Sequence, residues 1–272
     1  MSLGELDSQT FGSLAQLAHR LTGIHLDERK QGMLLSRIRR EARALGHSTY
    51  QEYLGSIQGA SHGSPDVDSF VDAITTNKTS FFRTLSVWRY LIQEHLPKRT
   101  STRRPMRWWS GASSTGEEAA SIAMLCETFR QSDPSFRYEV FASDISTAMV
   151  KVAEAQSFDN AWIARSRVPE SIKIDDFFDV DGERSVLRPA LRKNLSFAQH
   201  NLLAPIGRGR FDVACVRNVI IYFTKEDQRK VLDHAIEALV PDGLLITGDS
   251  ESPLQLTNRL KFIAPCLFRR VR

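Results

Sequence analysis

"WWSGASSTGEEAAS", residues 108–121, decides how this chain is read. A short apolar run ends in small residues, and a helix begins directly after them. That is the order of strand, ligand-binding turn and helix found at the cleft of open α/β sheets. Helix N-termini favour anions, through their free N–H groups and macrodipole. Here the first helical turn carries Glu117 and Glu118 instead. The turn runs Gly111-Ala-Ser-Ser-Thr-Gly116 and lacks GxGxxG, although its small residues still let backbone approach a ligand closely.

Two capping boxes compete for the glutamates. Thr115 and Glu118 have the S/T-x-x-E spacing, the commoner reading for a helix start, and Ser114 and Glu117 share it. With Thr115 as the cap, Glu117 is left to face the cleft. A carboxylate there repels pyrophosphate and attracts a cationic, hydroxyl-rich ligand. S-adenosylmethionine has a sulfonium, an ammonium and a ribose diol, and no phosphate. The turn therefore favours a methyl donor over a dinucleotide.

Outward from the turn, strands alternate with helices. "MRWWS" reads as a strand, and the following helix carries Ile122, Leu125, Cys126 and Phe129 on one face. "YEVFASD" is a second strand, ending at Asp144, where a ribose-binding acid belongs; capping the helix "STAMVKVAEA" is its structural alternative. "LSFAQHN" and "FDVACVRN" are further strands. A helix over 224–240 opens with Thr224 and Asp227 in capping-box spacing, and "LLITGD" is the fifth strand. This alternation predicts an α/β fold with a doubly wound parallel sheet. One insertion, residues 160–193, holds Asp181-Gly182 between extended runs and reads as an inserted antiparallel β-subdomain.

Before the sheet, Leu14, Leu17, Ala18 and Leu21 follow a helical period. Leu34, Leu35, Ile38, Ala42 and Leu45 form a second stripe, closed by Gly46 as a C-terminal cap. "GSIQGASHGSP" (55–65) breaks every period and reads as a linker or long loop. The expected organisation is a small all-helical N-terminal domain over 1–66 and a donor-binding domain over 67–272. Between residues 29 and 43, Arg29, Lys30, Arg37, Arg39, Arg40 and Arg43 face one acid, Glu41. Such a ridge is usually a solvated face, but its like charges at i, i+3 and i, i+4 make sense against an acidic partner.

Bulk composition excludes several classes. With 42% hydrophobic and 25% charged residues, the 272-residue chain is ordinary for a globular protein. No apolar stretch approaches the ~20 residues of a membrane span, and no signal-peptide core opens the chain. Three widely spaced cysteines among apolar residues read as reduced core positions of a cytoplasmic protein. The seven histidines form no metal-ligand spacing, so no metal is expected. A formal charge of +4 does not by itself imply nucleic acid.

Two other stretches mix polar and aromatic groups. In "TTNKTSFFR" (75–83), spacing favours Asn77 or Thr79 as a helix cap with Phe81 and Phe82 in the core; the alternative gives Asn77, Thr79 and Arg83 to a ligand. "CVRNVIIYF" (215–223) ends a buried strand in Arg217-Asn218, and places Asn218 and Tyr222 at the cleft end of that strand.

Taken in order, these stretches resemble the chemotaxis receptor methyltransferase (CheR) family over nearly the whole chain. "TTNKTSFFR" is similar to that family's N-x-T-x-F-F-R segment, "STGEE" to its donor-binding turn and "ASD" to its second-strand end; "NLL", "RNVIIYF" and "PDGLLITGDSES" follow in its order. The resemblance implies a Rossmann-like methyltransferase sheet with S-adenosyl-L-methionine surrounded by Asn77, Thr79, Arg83, Glu117, Asp144, Asn201, Leu202, Arg217 and Asn218. It implies Arg83 and Tyr222 beside the transferred methyl, and glutamates of chemoreceptor cytoplasmic helices as substrate. Arg37, Arg39, Arg40 and Arg43 would dock those receptors, and the β-subdomain would offer a tether for a receptor C-terminal tail. Neither nucleic acid nor membrane insertion is expected, and the chain is read as complete and monomeric. Ala119-Ala120 stand where the family usually has Pro-Tyr, and Asp249 where it commonly has His. The first departure supports a second function class, a scaffold that holds the donor or its product without turnover. A third, a nucleic-acid methyltransferase, draws on the basic helix but lacks an Asn/Asp-Pro-Pro-Tyr motif.

Overall fold

A computed structural model describes residues 6–26, 31–60, 63–98 and 104–271. Four helices come first: α1 (Ser8–Thr22), α2 (Gln31–Ala44), α3 (Tyr50–Gln58) and α4 (Pro65–Ile74). They share one core, in which Leu14 and Ala18 of α1, Ile38 and Ala42 of α2, Tyr50 and Tyr53 of α3, and Phe70 of α4 are completely buried. Local sequence starts each helix. Asp7 caps α1, Thr49 and Glu52 close a full capping box on α3, and Ser64 caps α4 with Pro65 in the first turn.

The helical unit thus extends past residue 66, through Ile74. The stretch expected as a linker is in its first part the end of α3, and its Pro65 starts α4. Its Gly and Ser residues tolerate a short helix end and supply the next cap, so they do not separate domains here. Gly46 does end α2: it lies at φ +81, and His47 N and Gly46 N bond the carbonyls of Ala42 and Arg43. Leu45, beyond the helix end, is exposed and leaves the expected stripe. Arg29, Lys30 and the side chain of Leu34 lie outside the described residues.

The second unit begins with α5 (Leu85–Tyr90), continued by a π-turn over Leu91–His95. It then runs β1 (Met106–Gly111), α6 (Glu117–Ser132), β2 (Tyr138–Asp144), α7 (Thr147–Ala155), β3 (Ser157–Asp159), α8 (Asn160–Ala164), β4 (Phe178–Asp181), β5 (Arg184–Leu187) and α9 (Pro189–Arg192). It closes with β6 (Leu195–Gln199), β7 (Phe211–Val216), α10 (Lys225–Ala238), β8 (Leu239–Ile246), β9 (Leu260–Ala264) and β10 (Leu267–Arg270). Seven strands form one sheet in the order β6-β2-β1-β7-β8-β10-β9. The first five are parallel, whereas β10 is antiparallel to both β8 and β9. The antiparallel pair was not read from sequence.

Period-2 burial shows why the sheet is covered on both faces. Trp108, Val213, Cys215, Leu244 and Ile246 belong to a core shared with α6. Their neighbours Trp109, Ala214, Val216 and Leu245 belong to another core, shared with α10. Strand order reverses between β1 and β7, whose ends pair Gly111 with Val216. Ligands of open α/β sheets bind at such a reversal, beyond the carboxyl ends of the strands.

The inserted sheet has three strands, β3-β5-β4, and takes in Ser157–Asp159 ahead of the expected start at 160. Pairing of Asp181 with Arg184 makes Gly182 and Glu183 the two loop residues, one position later than Asp181-Gly182. Gly182 takes φ +60 at the first loop position, where glycine is favoured. Phe81 ties this sheet to the body, with ring centroids 4.9 Å from Phe158 and 5.9 Å from Phe178.

Candidate functional site

A cleft opens at the reversal point and holds about 1130 Å³ of empty space, counting its mouth. The second unit lines it with residues 75–83, the turn after β1, Glu118 of α6, the ends of β2 and β6, and the loop after β7. A further wall comes from the helical unit, through Thr22, Ile24, Leu26 and Ile74. Hydrogen bonds hold that wall in place: Ile24 bridges Phe223 and His25 N donates to Tyr222 O at 2.9 Å through the backbone, and the Asn201 side-chain Nδ2 donates to Leu21 O at 2.9 Å.

Asn77, Thr79, Arg83, Asp144, Asn201, Leu202, Arg217, Asn218 and Tyr222 all line this cleft. Glu117 does not. Gly116 caps α6 at φ +94, so neither expected capping box forms. That φ favours glycine, and a Cβ there would also press on Ala153 Cβ at 3.1 Å and Ala153 Cα at 3.2 Å. The helix starts there, Glu117 turns into the protein, and it accepts from Thr115 Oγ1 at 2.5 Å. Burial pushes its carboxyl above the ordinary range, opposed by its bonds to Thr115 and Trp162.

Glu118 takes the cleft position instead. Its Oε1 accepts from Ser110 Oγ at 2.7 Å, and its Oε2 lies 2.9 Å from Arg217 Nη1. Arg217 also donates through Nη2 to Arg83 O at 2.6 Å, and its guanidinium stands 6.0 Å from the Trp88 ring centroid. Sequence spacing alone does not separate two adjacent glutamates, because the cap that orients them is Gly116, one residue beyond Thr115.

Asp144 ties the turn to the second strand. Its Oδ2 accepts from Ser114 N at 2.8 Å and its Oδ1 from Ser146 N at 3.0 Å. The cap of α7 is Ser146, not Asp144. Burial raises the Asp144 carboxyl, opposed by these backbone bonds.

Residues 77–83 are not a capped helix start. Phe81 and Phe82 are core, as expected, while Asn77 and Thr79 line the cleft and Thr84 precedes α5. Phe82, Thr84, Ala112, Ser114 and Asn218 all adopt positive φ without being glycine. Each costs roughly 1–2 kcal/mol, and they concentrate around one cleft. Specific bonds hold them: Ser114 Oγ donates to Asn77 O at 3.0 Å, and Phe82 N donates to Ser121 Oγ at 3.0 Å.

Ala119 and Ala120 are fully buried in the α6 core and do not line the cleft. Asp249 accepts from Thr84 Oγ1 at 2.9 Å. Among the described residues no His, Cys, Asp and Glu grouping could hold a metal, and no helix is long and apolar enough to cross a membrane. Arg37 bonds Thr75 O at 2.6 Å and thereby serves the end of α4; Arg39, Arg40 and Arg43 are exposed, with Arg39 Nε 3.2 Å from Tyr50 Oη.

Comparison with known proteins agrees over almost all of the chain. Residues 77–265 match the family model described as CheR methyltransferase, SAM binding domain, and residues 9–75 match CheR methyltransferase, all-alpha domain. A chemotaxis protein methyltransferase of Escherichia coli is 33% identical over 259 residues, 93% of this chain and 88% of that protein. One from Vibrio anguillarum is 30% identical over 262 residues, 95% and 94% of the two chains. The chemotaxis protein methyltransferase Cher2 of Pseudomonas putida is 31% identical over 259 residues, 93% and 92%.

Proposed function

The chain belongs to the CheR chemotaxis methyltransferase family, whose donor is S-adenosylmethionine, and from that membership we propose that it methylates glutamate side chains of chemoreceptors. The product is a glutamate methyl ester. The observation that carries the reading is the Glu118–Arg217 pair at the strand reversal, with Asp144 beside it in one cleft. This donor set suits the methyl donor. It offers carboxylates to an ammonium and a ribose diol, and it has a buried Asn218 Oδ1 that lacks a hydrogen-bond partner among the described residues.

When bound, the donor supplies an electrophilic sulfonium methyl. A substrate glutamate, with a pKa of about 4.3, arrives already ionised at neutral pH, so no general base is required. The chain's own contribution is positioning. Arg83, which donates to Lys78 O at 3.2 Å, and Tyr222 orient the substrate carboxylate from opposite ends of the sequence. The apolar residues Ile24, Leu26 and Ile74 would help exclude water from the cleft. Opposite charges partly cancel during transfer, so a drier cleft favours the reaction.

The domains fit this division of labour. We assign receptor docking to the exposed Arg40 and Arg43 of α2, and a receptor tail to the outer strand β4 of the small sheet by strand addition. The deciding experiment incubates the protein with methyl-labelled donor and membranes of its own host, followed by base. Base-labile label on a membrane protein supports carboxyl methylation. Donor binding with no label on any protein overturns it, and favours a sensor that lacks turnover. Replacing both Arg83 and Tyr222 without effect on single-turnover transfer would remove them from the catalytic role.

A further inference from the structure

Glu251 follows β8 and is only 9% exposed, yet it does not line the cleft. Four backbone N–H groups converge on its carboxylate. Oε2 accepts from Gly248 N at 2.6 Å and Asn218 N at 2.9 Å, while Oε1 accepts from Val219 N at 2.9 Å and Ile220 N at 2.8 Å. Three of those donors are consecutive residues of the loop that carries Asn218 and Tyr222 into the cleft.

That loop needs holding. Asn218 sits at φ +56, a conformation L side chains rarely adopt. Its backbone also crosses very close to the end of β8. A Cβ on Gly248 would stand 2.6 Å from Asn218 Nδ2 and 2.8 Å from both Asn218 Cγ and Asn218 N. Asn218 is thus pressed against Gly248 on one side and drawn to Glu251 through its N–H. The outcome is a buried, unpartnered Asn218 Oδ1 on a loop whose residues border the cleft.

We infer that Glu251 is a positioning residue of the cleft, fixing the left-handed turn at Asn218 and so the placement of Asn218 and Tyr222 for donor and substrate. It acts only through backbone N–H groups and touches neither reactant. The inference rests on the reading of this cleft as the methyl-donor site. A buried carboxylate that collects several N–H bonds is well suited to the task, because bonds to an ionised acceptor are about twice as strong as neutral ones.

The test uses the full chain, titrated with S-adenosylhomocysteine and assayed for KM and kcat. Glu251→Gln leaves one oxygen to accept and sets an NH₂ against N–H donors. It is expected to weaken product affinity about tenfold or more and to raise the donor KM. The control, Leu260→Ala, removes a buried side chain of β9. It should lower Tm while keeping wild-type affinity well below Tm. Should Glu251→Gln fail to fold, Gly248→Ala displaces Asn218 with Glu251 intact and is expected to show the same affinity loss. Wild-type affinity and KM in folded Glu251→Gln or Gly248→Ala, whatever their Tm, would overturn the inference. A wild-type chain that bound no product would overturn the donor reading itself, and the inference with it.

Discussion

Arg217 and Glu118 face each other across the strand reversal at 2.9 Å, with side chains 3% and 12% exposed. The pair joins the loop after β7 to the first turn of α6, and the second Arg217 nitrogen extends the link to Arg83 O. Breaking a buried pair leaves a charge without compensation, so Arg217→Ala should cost about 3–5 kcal/mol in urea unfolding. The adjacent glutamates separate the roles. Glu118→Gln should weaken S-adenosylhomocysteine binding about tenfold or more, whereas Glu117→Gln should stay within about threefold of wild type. Equal losses in both variants would return Glu117 to the cleft.

Asp144 gives a pH dependence with opposite signs for stability and binding. Burial holds its folded carboxyl above the unfolded value of about 3.9, so between the two the native state binds more protons. Wild-type stability therefore loses this contribution as pH rises through that window. Asp144→Asn lacks the titration, so its stability relative to wild type should improve as pH rises from about 4. Donor affinity should move the other way in wild type, rising with pH as the carboxylate ionises to accept ribose hydroxyls. Parallel urea and calorimetric titrations across the window check both signs; a flat stability difference would show that Asp144 does not titrate there.

How much of this was legible follows from which forces are local. The strands over MRWWS and FDVACVRN, and the Thr224 cap of α10, are short-range patterns and appear where the sequence places them. Asp144, Asn218 and Tyr222 follow from position at strand ends and the other expected cleft residues from the family resemblance; all but Glu117 line the cleft. What failed depended on distant atoms. Gly116 caps α6 because Gln156 and Ala153 crowd it from α7 and its end, which no spacing around Thr115 reveals. Glu251 reads as an ordinary loop acid until the chain places it beneath residues 218–220. Similarly, Arg37 belonged to a basic ridge by sequence and to the end of α4 by contact.

Gly23 tests whether the helical unit completes the cleft. It sits at φ +76, and a Cβ there would meet Leu203 Cδ1 at 2.8 Å and Phe223 Cδ1 and Cε1 at 2.9 Å. Gly23→Ala should cost about 2 kcal/mol from left-handed strain and overpacking. Because His25 N holds Tyr222 O two residues further on, kcat should fall along with stability. Unchanged kcat in a destabilised but folded variant would mean that the two units merely touch.

Arg40 and Arg43 carry the partner prediction. Both are exposed on α2, three residues apart, where like charges repel and add nothing to the helix itself. An acidic receptor surface would repay that repulsion, chiefly through the encounter rate. Reversing both, Arg40→Glu with Arg43→Glu, should slow methylation of host membranes about tenfold at low salt. The deficit should shrink near 1 M salt, where the Debye length falls to about 3 Å. Affinity for S-adenosylhomocysteine should stay at the wild-type value, since neither residue lines the cleft. Arg37→Ala should behave differently, losing roughly 1–2 kcal/mol of stability with its bond to Thr75 O and showing no salt-dependent rate. A rate loss in the double reversal that persists at high salt would assign it to damaged folding rather than docking.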